Sequence, residues 1–159
     1  MATVDTDSNF DSKKAEAFGD RFVNALNNGA LCLMASIGHR TGLFDVMSEL
    51  APATSHEIAT RAELNERYVR EWLGAMATAG VVEVDPTTIR FTLPAEHSAF
   101  LTRAAAAGNV AVFAQYVGLL GGVEDDIVEC FKNGGGVSYE NYPRFHEVMA
   151  EDSGQSVLS

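Results

Sequence analysis

The 159-residue chain carries 11 basic and 22 acidic side chains, a formal net charge of -11. An acidic chain gains nothing from counterion release on a polyanion, which argues against nucleic acid as a partner. Its length suits one domain, or one domain with an extension. No apolar run approaches the roughly 20 residues needed to span a bilayer, and Met1–Asn9 lacks the basic-then-apolar order of a secretory leader, so the expected location is the cytoplasm.

Residues 1–10 read as a disordered tail. Asp11 or Ser12 can cap a helix reaching about Asn28, with Ala15, Phe18, Phe22, Ala25 and Leu26 at helical spacing. Asn27-Asn28-Gly29 reads as a break. A second helix, Ala30 to about Arg40, is apolar almost all round and calls for burial on every side. A partner subunit, a second domain or the core of the same domain would each provide it. Thr41-Gly42 ends that helix, Leu43–Leu50 forms a short one, and Ala51-Pro52-Ala53 turns the chain.

Thr54 to Leu93 has the spacing of a winged helix-turn-helix. Thr54 with Glu57 three residues on is a capping box. Ala62-Glu63-Leu64 is the turn, and Asn65 caps a second helix whose Tyr68, Val69, Trp72, Leu73 and Met76 form one apolar stripe. Gly80 stands where a left-handed residue closes a helix. Val81–Val84 and Ile89–Leu93 then alternate around Asp85-Pro86-Thr87-Thr88 as a small wing. Beyond Pro94 come helices at Glu96–Thr102, Gly108–Leu120 and Val123–Phe131, the loop Lys132–Tyr139, and a further helix from about Arg144. The expected fold is mainly α: a winged helix-turn-helix with a β-hairpin wing plus a helical extension. The expected divisions are a tail over 1–10, a helical dimerisation segment and winged helix over 11–94, and a helical extension or lid over 95–159.

A winged helix prompts a DNA-reading hypothesis, which the charges oppose. From Thr54 to Pro94 there are four arginines against six acids, and Asp85 occupies the wing tip where a phosphate contact would want a cation. A packing and dimerisation scaffold is the alternative use of the same fold.

Catalytic chemistry is not signalled. His39, His56, His97 and His146 have no metal-ligand spacing, and His56-Glu57 lacks the second histidine of a His-Glu-x-x-His helix. Glu124-Asp125-Asp126 reads as a solvated first helical turn. Cys32 and Cys130 are far apart and read as buried, reduced thiols. Gly134-Gly135-Gly136 lacks the ending of a phosphate loop. It is either a plain loop or, with Tyr139 and Tyr142 just beyond, a lid or pocket rim. No catalytic or metal-binding residue is assigned; the substrate or cofactor lid candidates are Gly134, Gly135, Gly136, Tyr139 and Tyr142.

The runs Leu43-Phe44-Asp45, Glu66-Arg67-Tyr68-Val69-Arg70-Glu71-Trp72-Leu73 and Ala79-Gly80-Val81-Val82-Glu83 resemble the N-terminal winged-helix region of class I S-adenosylmethionine-dependent methyltransferases, most closely the Rv2258c-like group. Phe131 to Pro143 is similar to that family's connecting region. The resemblance implies a domain that homodimerises through its N-terminal helices and helps enclose a small-molecule substrate. In the full-length family S-adenosylmethionine sits in a Rossmann-like domain entered by a glycine-rich strand-to-helix turn. The sequence to Ser159 contains no such turn, so this chain alone is expected to be inactive and to bind no cofactor. A stand-alone winged-helix module for ligand or protein interaction is the alternative.

Overall fold

The computed structural model describes residues 10–157; the expected tail lies almost wholly outside the described residues. Two units are distinguished, one up to Ala30 and one from Leu31 onward. The first is helix alone, part of α1 (Ser12–Thr41). Asp11 caps it, its Oδ1 accepting from the Lys14 amide at 3.1 Å. Phe18 and Phe22 stack with ring centroids 5.8 Å apart, and the Arg21 guanidinium lies over Phe18. Phe18, Phe22, Val23 and Leu26 share one face and are each more than half exposed.

The expected break at Asn27-Asn28-Gly29 does not occur; these residues lie inside α1. Each is a weak helix former, at up to about 1 kcal/mol for glycine. Strong formers on either side, Ala25, Leu26, Ala30 and Leu31, carry the helix through.

In the second unit, α1 continues from Leu31 to Thr41. Within this chain the second half of α1 is covered on one side. Ser36, Gly38 and His39 are buried, whereas Leu33 and Ile37 are exposed. The helix is one-sided: its fully buried residues are small or polar because it packs tightly on two aromatic rings, with Leu31, Met34 and Ala35 partly buried against the core beside them. A β-carbon at Gly38 would overlap Trp72 Cζ2 and sit 2.8 Å from Phe44 Cε2. Trp72 Nε1 donates to the Met34 carbonyl at 2.8 Å, and its ring meets Phe44 edge-on, 5.3 Å between centroids.

Short α2 (Leu43–Ser48) leads to the helix-turn-helix, α3 (Ser55–Ala62) and α4 (Glu66–Thr78). The Thr54–Glu57 capping box forms in both directions, and Asn65 caps α4 through the Arg67 amide. Val69, Trp72, Leu73 and Met76 are buried as expected, but Tyr68 is 73% exposed. At 100° per residue Tyr68 falls about a quarter turn from the centre of that stripe. Gly80 has φ +71, the left-handed conformation that closes α4 without a Cβ penalty.

The wing is a two-stranded antiparallel hairpin, β1 (Glu83–Asp85) and β2 (Arg90–Thr92), with Val84 opposite Phe91. Phe91 also pairs with Ala53, which ties the wing to the segment before α3. The strands are shorter than their alternation suggested. Asp85 Oδ1 accepts from the Thr87 and Thr88 amides, so the turn starts at Asp85. Ile89 closes that turn at φ 51 and is exposed. The core gathers Leu43, Phe44, Met47, Ile58, Leu73, Met76 and Val82 with the wing residues Phe91 and Leu93.

Beyond the wing lie α5 (Ala95–Leu101), a 3-10 segment (Arg103–Gly108), α6 (Ala111–Gly121), α7 (Glu124–Asn133), a 3-10 turn (Tyr139–Asn141) and α8 (Phe145–Val157). The expected helix from Gly108 starts later. The polyalanine stretch kinks at Ala106 (φ 49, ψ -120), and Asn109 then caps through the Ala111 amide. No helix of the described residues is long and apolar enough to cross a membrane.

Candidate functional site

Glycine shapes the segment that the sequence offered as a lid candidate. Gly134 and Gly135 take φ +72 and +96, a conformation costly for any side chain, and Gly134 stops α7. The chain then runs without regular structure to Ser138, which caps the turn that presents Tyr139. Tyr139, Tyr142 and Phe145 form an aromatic cluster with ring centroids 5.3–6.5 Å apart. Tyr139 is 68% exposed. Thus the two tyrosines come together with each other and with Phe145, while no described atom lies within 4 Å of where a β-carbon would sit at Gly134, Gly135 or Gly136.

A second feature had no signal in the sequence. An apolar groove of about 730 Å³ is lined by Leu31 of α1, Phe100 of α5, Phe113 and Val117 of α6, and Val110 just before α6. Its polar contributions are Glu96 and His97, and His97 Nδ1 lies 2.8 Å from the Val81 carbonyl oxygen. Tyr139 and Tyr142 are not among its lining residues.

A third is a polar network under α8. His39 is 1% exposed, and its Nε2 lies 2.7 Å from Glu151 Oε1. Gln115 Nε2 donates to Glu151 Oε2 at 2.8 Å. Arg103 donates to the His39 carbonyl and pairs with Asp45, whose Oδ1 also accepts from the Arg103 amide. Burial pushes the Glu151 carboxyl up, but hydrogen bonds from Gln115 and His39 and the charges of His39 and Arg103 outweigh it and hold it below its usual range. His39 Nδ1 is buried with no hydrogen-bond partner among the described residues. Nearby, the Tyr116 hydroxyl donates to Asp152 at 3.2 Å; burial and that carboxylate raise its pKa. These partners are 36 to 112 residues apart, beyond the reach of any local motif.

The remaining sequence candidates are placed as follows. Glu124, Asp125 and Asp126 occupy the first turn of α7. Both cysteines are free and only half-buried, less covered than their apolar neighbours suggested. No group of three or more His, Cys, Asp or Glu residues could hold a metal ion among the described residues.

On the face that a DNA-reading winged helix would use, the arginines are largely engaged. Arg70 lies 3.8 Å from Glu66, and Arg90 donates to the Pro52 carbonyl and to Glu57. The Glu57 carboxyl is held below its usual range by hydrogen bonds from the Thr54 amide, the Thr54 hydroxyl and Arg90.

The capped helix pair, the left-handed Gly80 and the paired wing define a winged helix-turn-helix protein. More particularly, residues 29–103 match the family model of the Rv2258c-like winged HTH domain. No curated protein sequence matches the chain. Among solved structures it is similar to the mitomycin 7-O-methyltransferase MmcR, with a TM-score of 0.64 and 20% identity over 92% of this chain and 46% of that one. Human N-acetylserotonin methyltransferase gives 0.63 and 14%, over 93% and 44% of the two chains. The S-adenosylmethionine-dependent methyltransferase SibL gives 0.60 and 19%, over 87% and 44%. The fold is therefore that of an N-terminal domain of such methyltransferases, and the chain spans less than half the length of these structures.

The described residues do not fit S-adenosylmethionine. Their strands form only the antiparallel wing, and neither strand leads through a glycine-rich turn into a helix.

Proposed function

We propose that this chain is the dimerising and substrate-enclosing front part of an S-adenosylmethionine-dependent methyltransferase, acting in the cytoplasm. The observation that carries the reading is the α1 face of Phe18, Phe22, Val23 and Leu26, four apolar side chains in helical register, each more than half exposed. Such a face on a soluble protein invites a partner, and a second copy is the simplest one. S-adenosylmethionine would be held by a Rossmann-like domain and not by the residues described above.

Two further faces support enclosure. α7 buries none of its residues; Ile127, Val128 and Phe131 are exposed, Phe131 to 89%. The loop Gly134–Gly136 follows it directly and carries the chain to Tyr139 and Tyr142. In this reading α7 rests on the catalytic domain, and the glycines let the tyrosines close over a small-molecule substrate. Neither nucleic acid nor membrane is a partner.

Light scattering coupled to size-exclusion chromatography tests the core of the reading. A mass of twice the chain is expected at micromolar concentration. A monomer at every concentration sampled would remove the dimer and with it this role for α1.

A further inference from the structure

We propose that a cleft where α1, α6 and α8 converge binds a small carboxylate with an apolar body, such as a one-ring aromatic acid. The cleft encloses about 280 Å³, slightly below the roughly 300 Å³ at which pockets for drug-sized ligands begin. Its lining residues pair off one turn apart. Ser36 and Arg40 come from α1, Gln115 and Leu119 from α6, and Val148 from α8, with Arg144 immediately before α8.

The polar groups leave donors unspent. Arg40 makes no ion pair, and Ser36, though buried, makes no side-chain hydrogen bond among the described residues. Arg144 donates through Nε to Glu147 at 2.9 Å and through Nη2 to Gln115 Oε1 at 3.1 Å. Nη1 keeps its donors. Gln115 is 3% exposed and is held at both ends, by Arg144 and by Glu151, so it fixes the guanidinium rather than competing for a ligand. Arg144 itself has φ 60, a left-handed backbone that arginine adopts only at a cost.

The pairing of the charges points the same way. Two guanidiniums face the cleft, and the carboxylate paired with one of them is Glu147, which is 69% exposed. Glu151, below Gln115, is answered by Arg103 and His39. Arg103 is shared with Asp45, so Arg40, Arg103 and Arg144 stand against Asp45, Glu147 and Glu151, and it is the unpaired Arg40 and the spare Nη1 of Arg144 that leave cationic donors for a ligand. Guanidinium donors suit a carboxylate, while Leu119, Val148 and Pro143 supply apolar wall. An apolar body is favoured there over a bare inorganic anion.

Backbone amide shifts of the full chain, titrated with benzoate, benzamide and inorganic phosphate, test this directly. Benzoate should perturb the amides of Ser36, Arg40, Gln115 and Val148, and benzamide or phosphate should do so far more weakly. Arg40→Gln, at an exposed and unpaired side chain, should keep the spectrum of the folded protein and weaken benzoate about tenfold. Arg67→Gln, on the distant α4, should leave the affinity unchanged. The proposal is overturned by benzamide binding as well as benzoate, by phosphate matching benzoate, by unaltered affinity in Arg40→Gln, or by no shift at these amides.

Discussion

Gly38 is the residue on which the seating of α1 depends. A methyl group there must displace the Trp72 ring, the Phe44 ring or the helix itself. Gly38→Ala is therefore expected to destabilise the fold by about 1–3 kcal/mol, the usual cost of overpacking, despite alanine's better helix propensity. Urea unfolding midpoints of the two proteins decide the sign. Carboxylates set a second dependence. Glu57, Asp85 and Glu151 all have folded pKa values below their ordinary ones. Their contribution is present above the ordinary carboxylate range and is lost as pH falls through the lowered values. Unfolding midpoints should thus drop on acidification, and Glu151→Gln, which cannot titrate, should show a shallower drop. An equally steep profile in that variant would show that Glu151 contributes nothing to it.

At the scale of elements, local chemistry was the most readable part of the sequence. The Thr54 capping box, the Asn65 cap and the left-handed Gly80 are set by residues within four positions of one another, and all three form where the sequence placed them. The break at Asn27-Asn28-Gly29 was misread because three weak formers do not interrupt a helix with strong ones on both sides. Tyr68 was misread because stripe membership depends on where the neighbouring helix lies. Contacts over long separations were not readable at all: His39 meets Glu151, and Arg103 meets Asp45, without any spacing rule connecting them. The cleft bounded by Arg40 and Arg144 was hidden for the same reason, whereas Gly134–Gly136 with Tyr139 and Tyr142, being close in sequence, were visible as a motif. The exposed face of α1 gives this scale its prediction. Phe18→Glu with Phe22→Glu should halve the mass found by light scattering while leaving helical circular dichroism unchanged, since both rings are outside the core. Retention of the dimer would place the interface elsewhere.

For the molecule as a whole, the winged helix and its electrostatics have to be considered together. The fold is shared with domains that read DNA, but here the arginines of α4 and the wing mostly pair with acids or cap carbonyls, and Asp85 spends its carboxylate on the wing turn. Duplex DNA is expected to give no salt-sensitive gel shift, even at low ionic strength. A shift whose affinity falls steeply with added salt would return the domain to the nucleic-acid readers.

The 112 residues separating His39 from Glu151 also bear on the order in which the molecule assembles. Capping, the α3–α4 turn and the wing hairpin close over short stretches of chain and can form early. The pairing of α1 with α8 closes a far longer loop. During synthesis, which delivers the N-terminal elements first, His39 must wait for its carboxylate until α8 has emerged. Until then the underside of α1 is sealed on one flank by Trp72 and open on the other. A winged helix closed by short-range contacts can thus stand as a template before α8 arrives, with the His39–Glu151 contact made only afterwards.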